Sequence, residues 1–421
     1  MDKPLVCMEI SSGAIRMVVG HELNGAPIAL YTKEIKVPGL FKDGELSDEN
    51  LALKALASYH TIVDEAEKLQ LNITRINIVL PSIGLQVYQN DKTTNVIAMN
   101  NQIEKIDISN VVSLVHKETV PGGNQIVDII PDEYVLDNGE RFSNPPLGKR
   151  SKSLTIKAKI HALPSRTAQL WSNLTSKAGY RVNKSCVSAY CAASLFKTYP
   201  DLPQSYILVD IGEHTTEVSL IGNGAPYATT SFYLGGRDLT EDIVEGFGVN
   251  FDEAERVKIR YGYEPRRMKF NPPITQGRDG ADRSSPFYQK DLNNVITAFF
   301  ENYGSMLSNS VDALLARYQG KFDTLPILAT GGGSLLRGLP SFLRAIFPKR
   351  ETTIVAPRVI GARNPSYVNV LGLLLASSKY TGSLEDNYRG MTTVSRVGGS
   401  GQKKQQGGKR QKDDSTEEDA L

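Results

Sequence analysis

The pattern that most constrains this chain occurs twice. Leu5-Val6-Cys7-Met8-Glu9-Ile10 is an apolar run with an acid near its end. The small-residue turn Ser11-Ser12-Gly13-Ala14 follows, then a second apolar run from Ile15 to Gly20. Half a chain later, Leu208-Val209-Asp210-Ile211 enters the polar turn Gly212-Glu213-His214-Thr215, and Thr216 to Ile221 continues it. Laid together, Glu9 falls on Asp210, Ile10 on Ile211, Ser11 on Gly212, and Gly20 near Gly222. Each copy reads as strand, turn, strand. Such a turn offers backbone N–H groups to an anion such as phosphate, and the acid can face a hydrated Mg²⁺. Two related α/β halves facing each other would bring both turns to one cleft.

The remaining segments fill in that frame. Ile28 to Tyr31 and Glu34 to Val37 extend the first sheet. Ser47 or Asp48 caps a helix expected to run to about Leu69, with Leu53, Leu56, Tyr59, Val63 and Ala66 on its buried face. Asn77 to Leu80 is a buried strand. From about Ser82 to Ile160, short strands such as Gln86 to Tyr88 and Asn95 to Ala98, with one helix at Ser109 to His116, predict a small inserted α+β module. Helices at Arg166 to Lys177 and Ser188 to Thr198 flank a strand at Val182 to Val187. The second helix is rich in small residues and suits a crossing between halves.

Past the second turn, Leu234-Gly235-Gly236 leads into a helix whose N-terminus favours an anion. Glu255 and Lys258 lie one turn apart on the next helix, and a solvated ion pair is the plainer reading of them. Tyr263 to Tyr288, polar and rich in Arg, Pro and Gly, reads as a long surface loop. Asp291 to Tyr318 is a long helix. Leu325 to Thr330 is a strand that enters Gly331-Gly332-Gly333-Ser334. Three glycines there allow close backbone approach to a planar ligand. Val368 to Ser378 is a closing helix. From about Thr381 the chain loses apolar content, and 381–421 is expected to be disordered, basic around Lys403 to Arg410 and acidic at Asp413 to Asp419.

Composition narrows the class. With 421 residues and 40% hydrophobic content, the chain can bury several cores. A net charge of +2 argues against a nucleic-acid footprint. Three scattered cysteines, Cys7, Cys186 and Cys191, suit a reducing compartment better than a disulfide framework. No signal peptide is legible at Met1 to Pro4, and Val368 to Ala376 is too short to span a bilayer. A cytoplasmic protein, peripheral to a membrane at most, is expected.

These stretches together resemble FtsA, the actin-like cell-division family of bacteria. The likeness is carried by Gly39-Leu40-Phe41-Lys42-Asp43-Gly44-Glu45-Leu46-Ser47-Asp48, by Ile129-Ile130-Pro131-Asp132-Glu133-Tyr134 and by Asn144-Pro145-Pro146-Leu147-Gly148. Ala254-Glu255-Arg256-Val257-Lys258 and Ala329-Thr330-Gly331-Gly332-Gly333-Ser334 add to it. It spans about residues 5 to 380. The resemblance implies an α/β, actin-like (ribonuclease H-like) two-half ATPase fold with a small α+β domain inserted in the first half. Segments 1–83, 162–200 and 365–380 would form the first subdomain and 84–161 the inserted domain. Segments 201–238 and 320–364 would form the second core, with 239–319 the outer subdomain. ATP with Mg²⁺ would bind between the halves. Ser11, Ser12 and Gly13 would wrap the phosphates with Gly212, Thr215 and Thr216, and Gly236 would lie near the phosphates or sugar. Glu255 and Lys258 would reach ribose and base, Gly331, Gly332, Gly333 and Ser334 would back the adenosine, and Glu9 and Asp210 would face the metal. The implied partners are FtsZ, through its C-terminal tail, other divisome proteins and further copies of the chain. The implied place is the cytoplasmic face of the cell membrane at the division site.

The departures fall on the site itself. The family's first turn carries Asp, Gly, Thr and a Lys, where this chain has Glu9, Ser11, Ser12 and Ala14. Glu213 and His214 replace two glycines of the second turn, and Glu217 stands where Asp is usual. A carboxylate among phosphate oxygens is repelled, by roughly 1 kcal/mol at about 4 Å in water and several-fold more near a protein surface. Either Glu213 points away and ATP binds, or tight binding is lost. The retained Asp210, Glu255, Lys258 and glycines favour weakened binding without a nameable catalytic base. The tail lacks the apolar face of a membrane-lying amphipathic helix. Phe299 and Phe300 stand near where the family places an Arg facing the FtsZ tail. The leading expectation is a scaffold, at most a weak ATPase. The alternatives are a PilM-like assembly factor of an inner-membrane machine and an active ATPase of the sugar-kinase or chaperone kind.

Overall fold

The two repeated patterns become the centres of two sheets of the same topology. The computed structural model describes residues 4–64, 69–265, 271–280, 283–316, 318, 324–378 and 392–396. The first sheet runs Arg181–Val187, Arg75–Leu80, Leu5–Ile10, Ala14–Leu23, Ala26–Lys36. The second runs Thr352–Ile354, Ile327–Thr330, Ser205–Ile211, Thr216–Gly222, Ala225–Phe232. In each, a hairpin and its third strand are antiparallel, and two further strands run parallel to the hairpin's first strand. The register repeats as well. Glu9 faces Arg16 across the first hairpin, and Asp210 faces Glu217 across the second. Both turns close with the same bond: Ser11 N donates to Ala14 O at 3.0 Å, and Gly212 N to Thr215 O at 2.8 Å.

Two helices join the halves. Ser188–Phe196 is buried at every residue, and Val368–Ser378 at all but its last. Burial on all sides explains why both read as uniformly apolar or small rather than amphipathic. They cross at Gly372, where a Cβ would lie 1.8 Å from the carbonyl oxygen of Cys191, so only glycine permits the approach. The apolar core of the first half continues past this crossing to Tyr206, Leu208, Leu328 and Val355 of the second.

The inserted segment builds its own four-stranded sheet, ordered Arg141–Phe142, Asn124–Leu136, Ser153–Pro164, Gln86–Asn95. Helix Lys105–His116 covers it and buries Ile108, Val111 and Val115. It is anchored to the first half by a buried ion pair, Lys184 Nζ to Asp128 Oδ1 at 2.9 Å, with Cys186 Sγ donating to Asp128 Oδ2. On the far side, helices Gly236–Phe247, Phe251–Tyr261 and Gln289–Ala316 pack around a second core.

The structure departs from the sequence reading at several elements. The helix capped by Asp48 ends at Ala57, and Thr61–Asp64 and Leu69–Ile73 form a hairpin instead. Tyr59 turns inward to donate to the Ile15 carbonyl, the His60 ring contacts the Ala178 and Ile73 carbonyls, and Thr61-Ile62-Val63 favours a strand. The strands read at Gln86 to Tyr88 and Asn95 to Ala98 are replaced by one strand, Gln86–Asn95, and 96–98 lie outside it. The loop read at Tyr263 to Tyr288 holds a hairpin, Pro273–Arg278 with Ser284–Tyr288. Thr392–Arg396, within the segment expected to be disordered, pairs with Leu69–Ile73. The basic and acidic runs beyond it lie outside the described residues.

Candidate functional site

A cavity of about 840 Å³ opens between the halves, within the size range of small-molecule sites. Both repeated turns face it. So do Gly236, Glu255, Lys258 and Gly331 to Gly333. Two expected ligand groups do not. Thr216 is buried, donating to the Leu234 carbonyl at 2.8 Å, and Ser334 donates to the Gly331 carbonyl at 2.7 Å. Both hydroxyls serve the fold.

At the floor, one side chain ties the two halves' acids together. Asn369, from the closing helix, donates to Glu9 Oε1 at 3.0 Å and to Asp210 Oδ2 at 2.9 Å. Burial pushes the Glu9 carboxyl up to about 7, opposed by the Arg16 guanidinium and the Asn369 bond. Burial likewise raises Asp210. Glu217, which accepts from Ser82 N at 3.1 Å and Ser188 Oγ at 2.5 Å, is raised to about 7 by burial and by Asp210. Glu9 Oε2 is buried, 3.9 Å from Arg16 Nη1 and without a hydrogen-bond partner among the described residues. Two acids with one oxygen free of hydrogen bonds fit a hydrated Mg²⁺ that keeps most of its waters. No cluster of three or more His, Cys, Asp or Glu able to hold a metal occurs among the described residues.

The turns themselves differ from a plain anion cradle. The N–H groups of Ser12, Gly13 and Thr215 have no hydrogen-bond partner among the described residues, which suits phosphate. The positive charge missing at Ala14 returns two residues on: Arg16 donates to Ser11 Oγ at 3.2 Å and pairs with Glu34 at 2.7 Å. Strand alternation puts residues 14 and 16 on one face. Glu213 does not point away. Its Oε2 lies only 1.9 Å from where a Cβ on Gly13 would stand, so the carboxylate of the second turn rests against the first. Arg237 Nη1 holds the other oxygen at 3.3 Å. Burial raises the Glu213 pKa, and Arg237 opposes the rise. His214 turns the other way, with Nδ1 3.2 Å from Asp238 Oδ1, and that bond raises its pKa.

Along the opposite wall, Lys258 is held by Glu255 (2.7 Å), the Gly236 carbonyl (2.7 Å) and Thr240 Oγ1 (2.7 Å). The pair is therefore fixed on the cleft wall rather than loose in solvent. The first amides of helix Gly236–Phe247 are already engaged: Gly236 N donates to Gly212 O and Arg237 N to Glu213 O. They brace the second turn rather than await an anion. Gly331 has φ 84°, and a Cβ there would meet Asp210 Oδ1 at 2.3 Å; one on Gly333 would meet Ile211 at 2.4 Å. Close packing on the second hairpin thus requires two of the three glycines. Gly332 alone is free of close contact, a Cβ there meeting only Ser366 at 3.9 Å.

A second groove of about 440 Å³ lies on the long helix, lined by Tyr263, Thr297, Glu301, Ser305, Phe342 and Ile346 among others. Phe300 lines the floor of this groove, whereas Phe299 faces the cavity between the halves. Both are buried, and Phe300 stacks on Phe342 at 3.9 Å.

Sequence reasoning missed Asn369, Arg16 and Arg237. Asn369 had a signal, as a lone amide in an otherwise apolar helix. Arg16 follows from the hairpin register.

The family model described as "Cell division protein FtsA" matches residues 207–372, and the model "SHS2 domain inserted in FTSA" matches residues 85–162. Together they take in more than half of the chain. The chain is 23% identical over 378 residues to "Cell division protein FtsA" of Bacillus subtilis (strain 168), covering 88% of this chain and 82% of that one. It is 24% identical over 388 residues to "Cell division protein FtsA" of Enterococcus faecalis (strain ATCC 700802 / V583), with 91% and 84% covered. Among solved structures, MreB 5 of Spiroplasma citri bound to AMPPNP matches with TM-score 0.53 and 14% identity, over 92% of this chain and 98% of that one. A chain of the PilM-PilN type IV pilus biogenesis complex matches with TM-score 0.52 and 17% identity, over 89% and 98%. The fold is actin-like, two α/β halves with a small domain inserted in the first.

Proposed function

The chain belongs to the FtsA family as a divergent member, and on that premise we propose that it is an actin-like cell-division scaffold. It assembles with further copies of itself and links the FtsZ ring to the cytoplasmic face of the membrane and to later divisome proteins. It holds ATP and Mg²⁺ weakly, as structural ligands, between its halves.

The observation that carries this reading is the Asn369 bridge. One amide joins the acid of each half at the floor of a single cleft. The cleft is thus built as one unit across the halves, as a ligand that stabilises their closure requires. Residues that would hold the ligand are present: Glu9 and Asp210 for a hydrated metal, Ser12, Gly13 and Thr215 amides with Arg16 for phosphate, and Glu255 and Lys258 for sugar and base. The MreB 5 relative in fold was solved with AMPPNP bound. Bound ATP would supply a charged tether between the halves. Glu213, lying against Gly13, supports weak binding.

The groove along the long helix supplies a surface for an FtsZ tail peptide, its aromatic and aliphatic floor (Phe342, Ile346, Tyr263) rimmed by Glu301 and Thr297. The PilM-like alternative is supported by likeness of fold alone, whereas the inserted segment matches the FtsA-specific insert model. Binding of a fluorescent FtsZ tail peptide to the full chain tests the proposal.

A further inference from the structure

Glu213 occupies the gap between the two turns, and its placement is fixed from both sides. Arg237 grips Oε1 at 3.3 Å. Arg237 is itself held by Glu241 at 2.8 Å and lies over the Phe251 ring at 4.4 Å. Oε2 has no hydrogen-bond partner among the described residues and presses on Gly13, where any side chain would clash with it. The carboxylate is thus clamped from the second half and set against the turn of the first. An anion reaching between the turns must displace it or sit beside a like charge in a shielded site, where Coulomb repulsion is several-fold stronger than in water. Gly236 and Gly332 line the cleft with ordinary contacts only, and Lys258 stands on its wall paired with Glu255.

Resting on the nucleotide reading of the cleft, we infer that Glu213 stands in for the terminal phosphate, so that the cleft selects an adenine nucleoside diphosphate over the triphosphate. The carboxylate acts there by position and charge: it fills the gap without accepting from the turn N–H groups of Ser12, Gly13 and Thr215. Glu213 is then a specificity-determining residue, and Arg237 a positioning residue that holds it in the gap.

Calorimetric titration of the full chain with MgADP and with MgATP tests this. The wild type is expected to bind ADP at least about tenfold more tightly than ATP. Glu213→Gln keeps the shape and removes the charge, and should bring the two affinities within about threefold. Glu213→Gly, which empties the gap, should favour ATP. A wild type that prefers ATP overturns the inference while leaving the nucleotide reading in place. So does an ADP-to-ATP ratio that is unchanged in Glu213→Gln. Failure of both nucleotides to bind the wild type and both variants overturns the nucleotide reading and the inference with it.

Discussion

Replacing Glu9 by glutamine should stabilise the protein, and only at high pH. Glu9 is 8% exposed, and burial lifts its carboxyl from an ordinary 4.5 to about 7. Between those values the folded chain holds a proton at Glu9 that the unfolded chain releases. A folded state that binds more protons loses stability as pH rises. The contribution is fully present below about 4.5 and is lost as pH passes through about 7. At roughly 1.4 kcal/mol per pH unit, the loss reaches about 3 kcal/mol by pH 8. Glutamine mimics the protonated acid and keeps a carbonyl oxygen for Asn369. Urea unfolding in EDTA, followed by circular dichroism, should show Glu9→Gln equal to the wild type near pH 4.5. By pH 8 the variant should be more stable by about 3 kcal/mol. A difference independent of pH, or a wild type that is the more stable at pH 8, would refute the reasoning. Arg16 would then be compensating the ionised acid fully.

Asn369→Leu removes the one donor shared by Glu9 and Asp210, and hydrogen bonds to charged groups are worth about 1.5–3 kcal/mol each. A loss of about 3 kcal/mol at pH 8 is expected in the same urea assay, shrinking at pH 5 as Glu9 takes up its proton. Gly372→Val drives a side chain into the Cys191 carbonyl, and overpacking of this kind costs about 1–3 kcal/mol or more. A melting temperature unchanged in Gly372→Val would show that the two helices cross less closely than described.

Much of the frame is legible in the sequence because burial imposes composition. Leu5–Ile10 and Val368–Ser378 read correctly from their apolar runs alone. The repeat at Glu9 and Asp210 is legible because the turn chemistry is repeated, down to the same closing hydrogen bond. The helix expected to reach Leu69 was misjudged because Tyr59 and Val63 keep helical spacing with Leu56. Tyr59 is buried on Ile15 and His60 is held by Ile73 and Ala178, partners distant in sequence that local periodicity cannot show, while Val63 is exposed. The glycines of 331–333 look like a ligand platform, yet two of them answer to Asp210 and Ile211. The direction of Glu213 was open because a side chain at a turn can take either side. Its fit against Gly13 appears only when both halves are assembled. Arg16 escaped notice because the expected cation was sought at position 14, whereas the strand presents the same face again at 16.

The most direct test of the scaffold account is the affinity of the full chain for an FtsZ C-terminal tail peptide, measured by fluorescence anisotropy. Ser305 is exposed on the long helix and lines the groove, so Ser305→Trp fills the groove without entering the core. The account predicts saturable binding by the wild type and a loss of at least about tenfold in Ser305→Trp. No binding by the wild type, or equal affinity in the two proteins, would contradict it.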